Sequence, residues 1–175
     1  DVRNLQTHFF TKGGVLKAVD GVSFEIGAGE IVGLVGESGS GKSITGFSIL
    51  GLVDAPGRIV GGEILFKGTD LTTLPAAEMQ KMRGSSIAMI FQDPMMTLNP
   101  VLRIETQMIE AIQTHDSSVS KDEARQRSRD ALGLVGISSP EERMRAYPHQ
   151  FSGGMRQRVS IAIAMLNRPD LIIAD

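Results

Sequence analysis

Apolar positions fall into short compact runs in the first half of the chain and into spaced stripes in the second. Residues 19–26 alternate loosely between apolar and polar, which predicts a half-buried strand. Gly27-Ala28-Gly29 predicts a turn, and the apolar run 31–35 predicts a short buried strand that ends in a glycine-rich loop. Ile44, Phe47 and Leu50 follow at helical spacing, so a helix is expected to begin near Gly41. Glu63-Ile64-Leu65-Phe66 after Gly61-Gly62 predicts another strand. Pro75 suits the first turn of a short helix reaching about Met82. Residues 87–91 form one more candidate buried strand.

The pattern changes after Gln92. Asp93-Pro94 and Asn99-Pro100 bracket an irregular segment that carries Met95, Met96 and Leu98. Ile104, Met108 and Ile112 then share one helical face, as do Ala124, Ser128, Ala131 and Val135. The charged run 121–130 reads as the solvated face of such a helix. After Ser152-Gly153-Gly154, the positions Val159, Ala162, Ile163 and Leu166 mark a last amphipathic helix, closed by Pro169. Leu171 to Ala174 predicts a final apolar strand, followed by Asp175. The expected architecture is an α/β core with an antiparallel N-terminal part and an inserted helical subdomain. The core is expected to comprise about 1–92 and 156–175, and the helical subdomain about 93–155.

Composition narrows the classes. The 175 residues are 41% hydrophobic and 22% charged with a formal net charge of -2, which does not suggest a general nucleic-acid binder. The chain has no cysteine, which excludes disulfides and thiolate-held zinc and fits a reducing compartment. No apolar stretch approaches the roughly 20 residues needed to span a bilayer, so membrane association is expected through a partner. No signal-peptide pattern opens the chain.

The strongest chemical signal is the stretch Gly36-Glu37-Ser38-Gly39-Ser40-Gly41-Lys42-Ser43, a full G-x-x-x-x-G-K-S match. Glycines at Gly36, Gly39 and Gly41 let backbone N–H groups converge on one anion, with Ser38 and Ser40 between them. The helix behind them presents its positive end. Lys42 supplies a point charge for the outer phosphates, and the Ser43 hydroxyl can ligate Mg²⁺. Three further features bear on the class: Gln92 at a strand end, 50 residues after Lys42; Ser152-Gly153-Gly154 at a helix start; and Asp175 at the end of an apolar strand. A carboxylate so placed can hold a metal-bound water.

In this order and spacing the features resemble the nucleotide-binding domain of ABC transporters, over essentially the whole chain. The loop 36–43 is similar to that family's Walker A, Gln92 to its Q-loop, and Phe151-Ser152-Gly153-Gly154-Met155-Arg156-Gln157 to its LSGGQ signature. Leu171-Ile172-Ile173-Ala174-Asp175 is similar to its Walker B. Phe151 for Leu and Met155 for Gln depart from the signature but leave Ser-Gly-Gly intact. The stretches GESGSGKS, IFQDPMMTLNP, YPHQFSGGMRQR and LIIAD resemble the ATP-binding subunits of dipeptide and oligopeptide importers, a branch that also serves nickel and glutathione.

The resemblance implies a P-loop NTPase (RecA-like) core that binds ATP and Mg²⁺ at a dimer interface. Phe9, or as second choice Phe10, would stack on adenine; Ser43, Gln92 and Asp175 would serve the metal, and Gln92 would also sense the attacking water. Ser152, Gly153 and Gly154 would contact the nucleotide of a second ATPase subunit. Implied partners are membrane permeases and, indirectly, a solute-binding protein, with peripheral location at the cytoplasmic face of the cell membrane. The permease is expected to dock around Gln92 to Arg103, where Met95, Met96 and Leu98 would either offer an adaptable apolar surface or be ordinary core. His149 is expected to be structural or on the surface. The family's catalytic glutamate is expected just after Asp175, so no catalytic base and no switch histidine stand within the chain. The 175-residue chain is therefore expected to be a poor ATPase with marginal stability. Alternative readings are a soluble ABC-type ATPase of DNA repair or chromosome maintenance, and a non-hydrolysing ABC fragment. The 110 residues between Lys42 and Ser152, with neither heptads nor cysteines, disfavour the DNA-repair reading.

Overall fold

The computed structural model describes the backbone of residues 1–175 and every side chain except that of Met96. It divides into two compact units, 1–80 and 81–175.

The first unit is built on a four-stranded antiparallel sheet in the order β2-β1-β3-β4. Its strands are β1 (Val2–Thr11), β2 (Gly14–Phe24), β3 (Gly57–Phe66) and β4 (Thr69–Asp70). The central strand β1 pairs on both sides, with register shifts near Gln6 and Thr7. Helix α1 (Lys42–Ile49) lies against this sheet through a buried contact between the Thr7 and Ser48 hydroxyls at 2.8 Å. Leu5, Val19, Ile49, Leu50 and Ile64 are buried in this unit. The β3–β4 turn is held by Asp70. Burial of its carboxyl acts to raise the pKa, but hydrogen bonds from Thr72 and from the Ile64 N–H outweigh this and hold it below the usual carboxylate range. Helix α2 (Ala76–Met82) follows Pro75 directly.

The expected strand over 31–35 does not form. No ladder includes these residues, and Ile31 is 98% and Val35 91% exposed. Hydrophobicity alone does not make a strand. The ladder needs a neighbour to take its N–H and C=O groups, and among the described residues no strand pairs with this run.

The second unit joins a two-stranded parallel sheet to a helical core. Strand β5 (Ile87–Ile90) pairs in register with β6 (Leu171–Ala174). Helices α3 (Ile104–Gln113), α4 (Lys121–Leu134), α5 (Pro140–Met144) and α6 (Gly153–Met165) enclose Ile104, Met108, Ile112, Leu132, Met144 and Val159, all fully buried. The helical stripes read from the sequence are the ones that face this core. On α4 the buried positions are Ala124, Ser128 and Leu132, and the charged positions face solvent. Arg125 reaches Glu105 and Glu141, tying α3, α4 and α5 together at the surface. Of the two readings open for Leu98, adaptable surface or ordinary core, it is core at 2% exposure. Met95 is 42% exposed, and the side chain of Met96 lies outside the described residues.

Candidate nucleotide-binding site

The loop 36–43 turns tightly into α1. Gly39 and Gly41 have φ of 79° and 93°, the left-handed region that side chains rarely adopt. Gly41 is also where α1 begins, and no side chain caps that end. Helix α1 thus opens directly out of the loop and presents its positive end there. A Cβ built on Gly41 would lie 2.2 Å from the Ala18 carbonyl oxygen, so only glycine lets the loop lie this close to β2. The Lys42 ammonium donates to the carbonyls of Gly36 at 2.8 Å and Glu37 at 2.7 Å. These bonds curl the loop around the lysine and fix its position beneath the turn. Ser40 N–H donates to the Glu37 carbonyl, closing that turn. Ser43 occupies the second position of α1.

Phe9 and Phe10 leave β1 in different directions, as successive strand residues do. A Cβ on Gly57 would lie 2.6 Å from the Phe9 ring and 2.8 Å from Val53, so both side chains close over Gly57. Val53 follows α1, and Thr7 meets Ser48 of α1, so Phe9 stands on the sheet face that carries the phosphate loop's helix. Phe10 is 40% exposed and has the Arg58 guanidinium 4.3 Å from its ring centroid.

The remaining candidates lie in the second unit. Gln92 and Asp175 leave the same end of the parallel β5–β6 pair: Ile90 is opposite Ala174, and Asp175 N–H donates to the Ile90 carbonyl at 2.9 Å. Ser43 belongs to the other unit. As a donor set, the Ser43 hydroxyl, the Gln92 amide oxygen and the Asp175 carboxylate are the hard oxygens that Mg²⁺ prefers. The pairing of β5 with β6 brings the last two to one edge.

Ser152 is the N-cap of α6, its hydroxyl accepting from Met155 N–H at 3.3 Å. Ser152, Gly153 and Gly154 are all exposed. The two departures from the signature face the other way. Phe151 is 4% exposed within the helical core and Met155 packs against that core. Both substitutions therefore serve packing and leave the exposed Ser-Gly-Gly surface unchanged. His149 is exposed and stacks on Tyr147 at 5.6 Å between ring centroids.

Sequence reasoning missed Arg156, one turn into α6. Its Nε is buried with no hydrogen-bond partner among the described residues. A buried unsatisfied donor on a charged group is destabilising. Arg156→Met, of similar length, is expected to raise stability by about 1 kcal/mol and Tm by about 2–4 °C. A lower Tm in a thermal melt would show that the guanidinium is satisfied in solution.

Comparison with known proteins gives a consistent picture. The sequence profile of the family described as ABC transporter matches residues 19–175. The dipeptide transport ATP-binding protein DppD of Haemophilus influenzae is 47% identical over 175 residues, all of this chain and 53% of that protein. The oligopeptide transport ATP-binding protein AppD of Bacillus subtilis is 52% identical over 176 residues, again the whole chain and 53% of the relative. The chain thus spans about half the length of the curated relatives it matches. Among solved structures, a dimeric ATP-binding cassette in a post-hydrolysis state, bound to ADP and Pi, superimposes with a TM-score of 0.88 at 28% identity. That match covers 99% of this chain and 72% of the other. The fold is therefore the mixed α/β fold of ABC ATPase cassettes with a P-loop NTPase core, as expected.

Proposed function

Because the chain belongs to the ABC transporter family, we propose that it is the ATP-binding, energy-coupling part of a membrane importer for di- or oligopeptides. The observation that carries the reading is the loop 36–43, a complete phosphate-loop motif whose lysine is already drawn into the turn and whose last glycine opens α1. The substrate class rests on relatives named for dipeptide and oligopeptide transport.

In this reading the backbone N–H groups of the loop and the N-terminus of α1 hold the β- and γ-phosphates, and Lys42 neutralises their charge. Phe9 stacks on the adenine. Mg²⁺ would supply charge neutralisation to the phosphates; the oxygen donors this reading assigns to it are Ser43 in the first unit, and Gln92 and Asp175 at one end of the β5–β6 pair in the second. Ser152, Gly153 and Gly154, at the start of α6, add donors to the γ-phosphate of a nucleotide held by a second ATPase subunit, so ATP joins two subunits. Closure of that dimer drives a permease, and hydrolysis by the full-length protein resets it. Such a protein works at the cytoplasmic face of the membrane through its permease. No described helix is long and apolar enough to cross a bilayer. The DNA-repair reading is not favoured, since the relatives are named as dipeptide and oligopeptide transport ATP-binding proteins.

The two-subunit site has a separable test. Ser152→Ala is expected to leave MgATP binding within about twofold of wild type, because the change lies on the surface offered to the partner. It is expected to abolish ATP-dependent dimerisation, read by analytical ultracentrifugation. Loss of the cap itself costs only about 1 kcal/mol, and Ser152→Thr keeps the cap as a control. An Ser152→Ala protein that dimerises with ATP as wild type does would remove the signature segment from the site.

A further inference from the structure

A cleft of about 700 Å³ opens in the second unit beside the ends of α3, α4 and α6, within the size range of small-molecule sites. No step of the reading above uses it. At one end, Asn167 Nδ2 donates to the Gly84 carbonyl at 2.9 Å and to the Ala111 carbonyl at 3.0 Å. A Cβ on Gly84 would lie 3.0 Å from His115 Nε2, so His115 and Asn167 flank the same glycine. The next residue, Arg168, is exposed and has a φ of 52°. An arginine in the left-handed region is strained, where glycine or asparagine would suit the end of a helix. Among the described residues, neither the Arg168 guanidinium nor the His115 ring makes a hydrogen bond or ion pair. The acids of the cleft are satisfied and charged. The Ser118 hydroxyl, and then its N–H, hold the Asp116 carboxyl below the usual carboxylate range. Asp130 accepts from Gln126. Between these charges the cleft exposes Leu134, the last residue of α4, and Met165, the last of α6, at 84% and 46%.

We propose that this cleft binds a zwitterionic amino acid or short peptide that carries an apolar side chain. The planar fork of Arg168 matches a carboxylate in bidentate fashion, with the His115 imidazole as a second partner. Asp116 and Asp130 attract the ammonium group and repel ligands with several negative charges, which sets the class apart from nucleotides. Leu134 and Met165 cover the apolar side chain and leave water in doing so. The cleft stands at the end of α6 opposite Ser152, about 20 Å of helix away. It also adjoins the start of β5 and β6, whose other ends lead to Gln92 and Asp175. It is thus separate from the residues of this unit assigned to the nucleotide, and the inference does not rest on that assignment.

The test is calorimetric titration of the full-length protein with leucyl-leucine. Saturable binding is expected, unchanged by saturating MgATP. Arg168→Gly is expected to weaken it about tenfold, the loss of one charge-assisted pair. Its Tm should be no lower than wild type, because glycine relieves the strain at that φ. Asp116→Asn is expected to weaken binding about threefold. 4-Methylpentanoate, which keeps the carboxylate and lacks the ammonium, should bind about threefold more weakly than the dipeptide, and uncharged N-acetyl-leucinamide should not bind. Absence of leucyl-leucine binding to wild type overturns the proposal. Wild-type affinity in Arg168→Gly overturns it too, and so does displacement of the dipeptide by MgATP, which would put it in the nucleotide site. Equal affinity for 4-methylpentanoate would leave the acids without a role and overturn the zwitterion class.

Discussion

Lys42→Ala is expected to weaken MgATP binding by about a hundredfold or more while leaving the fold intact. The ammonium is fixed by the Gly36 and Glu37 carbonyls, 2.8 and 2.7 Å away, so it meets incoming phosphates without reorganising. Charge-assisted hydrogen bonds are worth about 1.5–3 kcal/mol each, and about 2.7 kcal/mol is a hundredfold. These bonds to the loop are solvent-exposed in the free protein. Their loss should move Tm little, by the equivalent of about 0.5 kcal/mol or less. Equilibrium binding of a fluorescent ATP analogue, paired with a thermal melt, checks both halves. Wild-type affinity in Lys42→Ala would defeat the assignment of the loop. Lys42→Arg is expected to restore binding only in part, because the guanidinium fork is too broad for a position drawn between two carbonyls.

Gly41→Ala is expected to damage both binding and fold. At φ 93° an alanine is strained, and its Cβ would stand 2.2 Å from the Ala18 carbonyl oxygen. That neighbour is backbone in a paired strand, so it cannot swing aside as a side chain could. Relief requires the loop to lift from β2, which also turns the N-terminus of α1 away from the phosphates. Strain of this kind costs about 1–3 kcal/mol before the clash is counted, so a total of about 3 kcal/mol or more is expected. The contrast with Lys42→Ala is diagnostic. One variant loses binding at constant stability, and the other loses both. A Gly41→Ala protein that melts and binds as wild type would mean that the loop sits farther from β2 than the structure places it.

Elements with their own periodicity were legible before the structure. The stripe Ile104, Met108, Ile112 became the buried face of α3, and Leu171–Ala174 became β6. Glycine positions were legible for a local reason: only glycine serves at the left-handed φ of Gly39 and Gly41, and the motif records that need. What sequence could not supply was non-local. The run 31–35 has the composition of a buried strand, but pairing decides, and no described strand pairs with it. Leu98 sits in a segment broken by Pro94 and Asn99-Pro100, where no periodicity tells core from surface, and it proved to be core. Phe151 and Met155 read as departures from a signature; their burial shows them as packing residues that leave the exposed Ser152-Gly153-Gly154 alone. An aromatic on β1 could be chosen, but its cross-strand neighbour depends on a register shifted between Thr7 and His8, which no sequence rule gives. The orphaned Nε of Arg156 left no sequence signal at all.

The central claim is that the backbone of the loop 36–43 holds the phosphates of ATP. Amide hydrogen exchange of the full-length protein, read by mass spectrometry with and without saturating MgATP, tests it most directly. The predicted result is strong ATP-dependent protection of the peptide containing Gly39, Gly41, Lys42 and Ser43, lost in Lys42→Ala. Binding of ATP with no change in exchange across that peptide would contradict the claim.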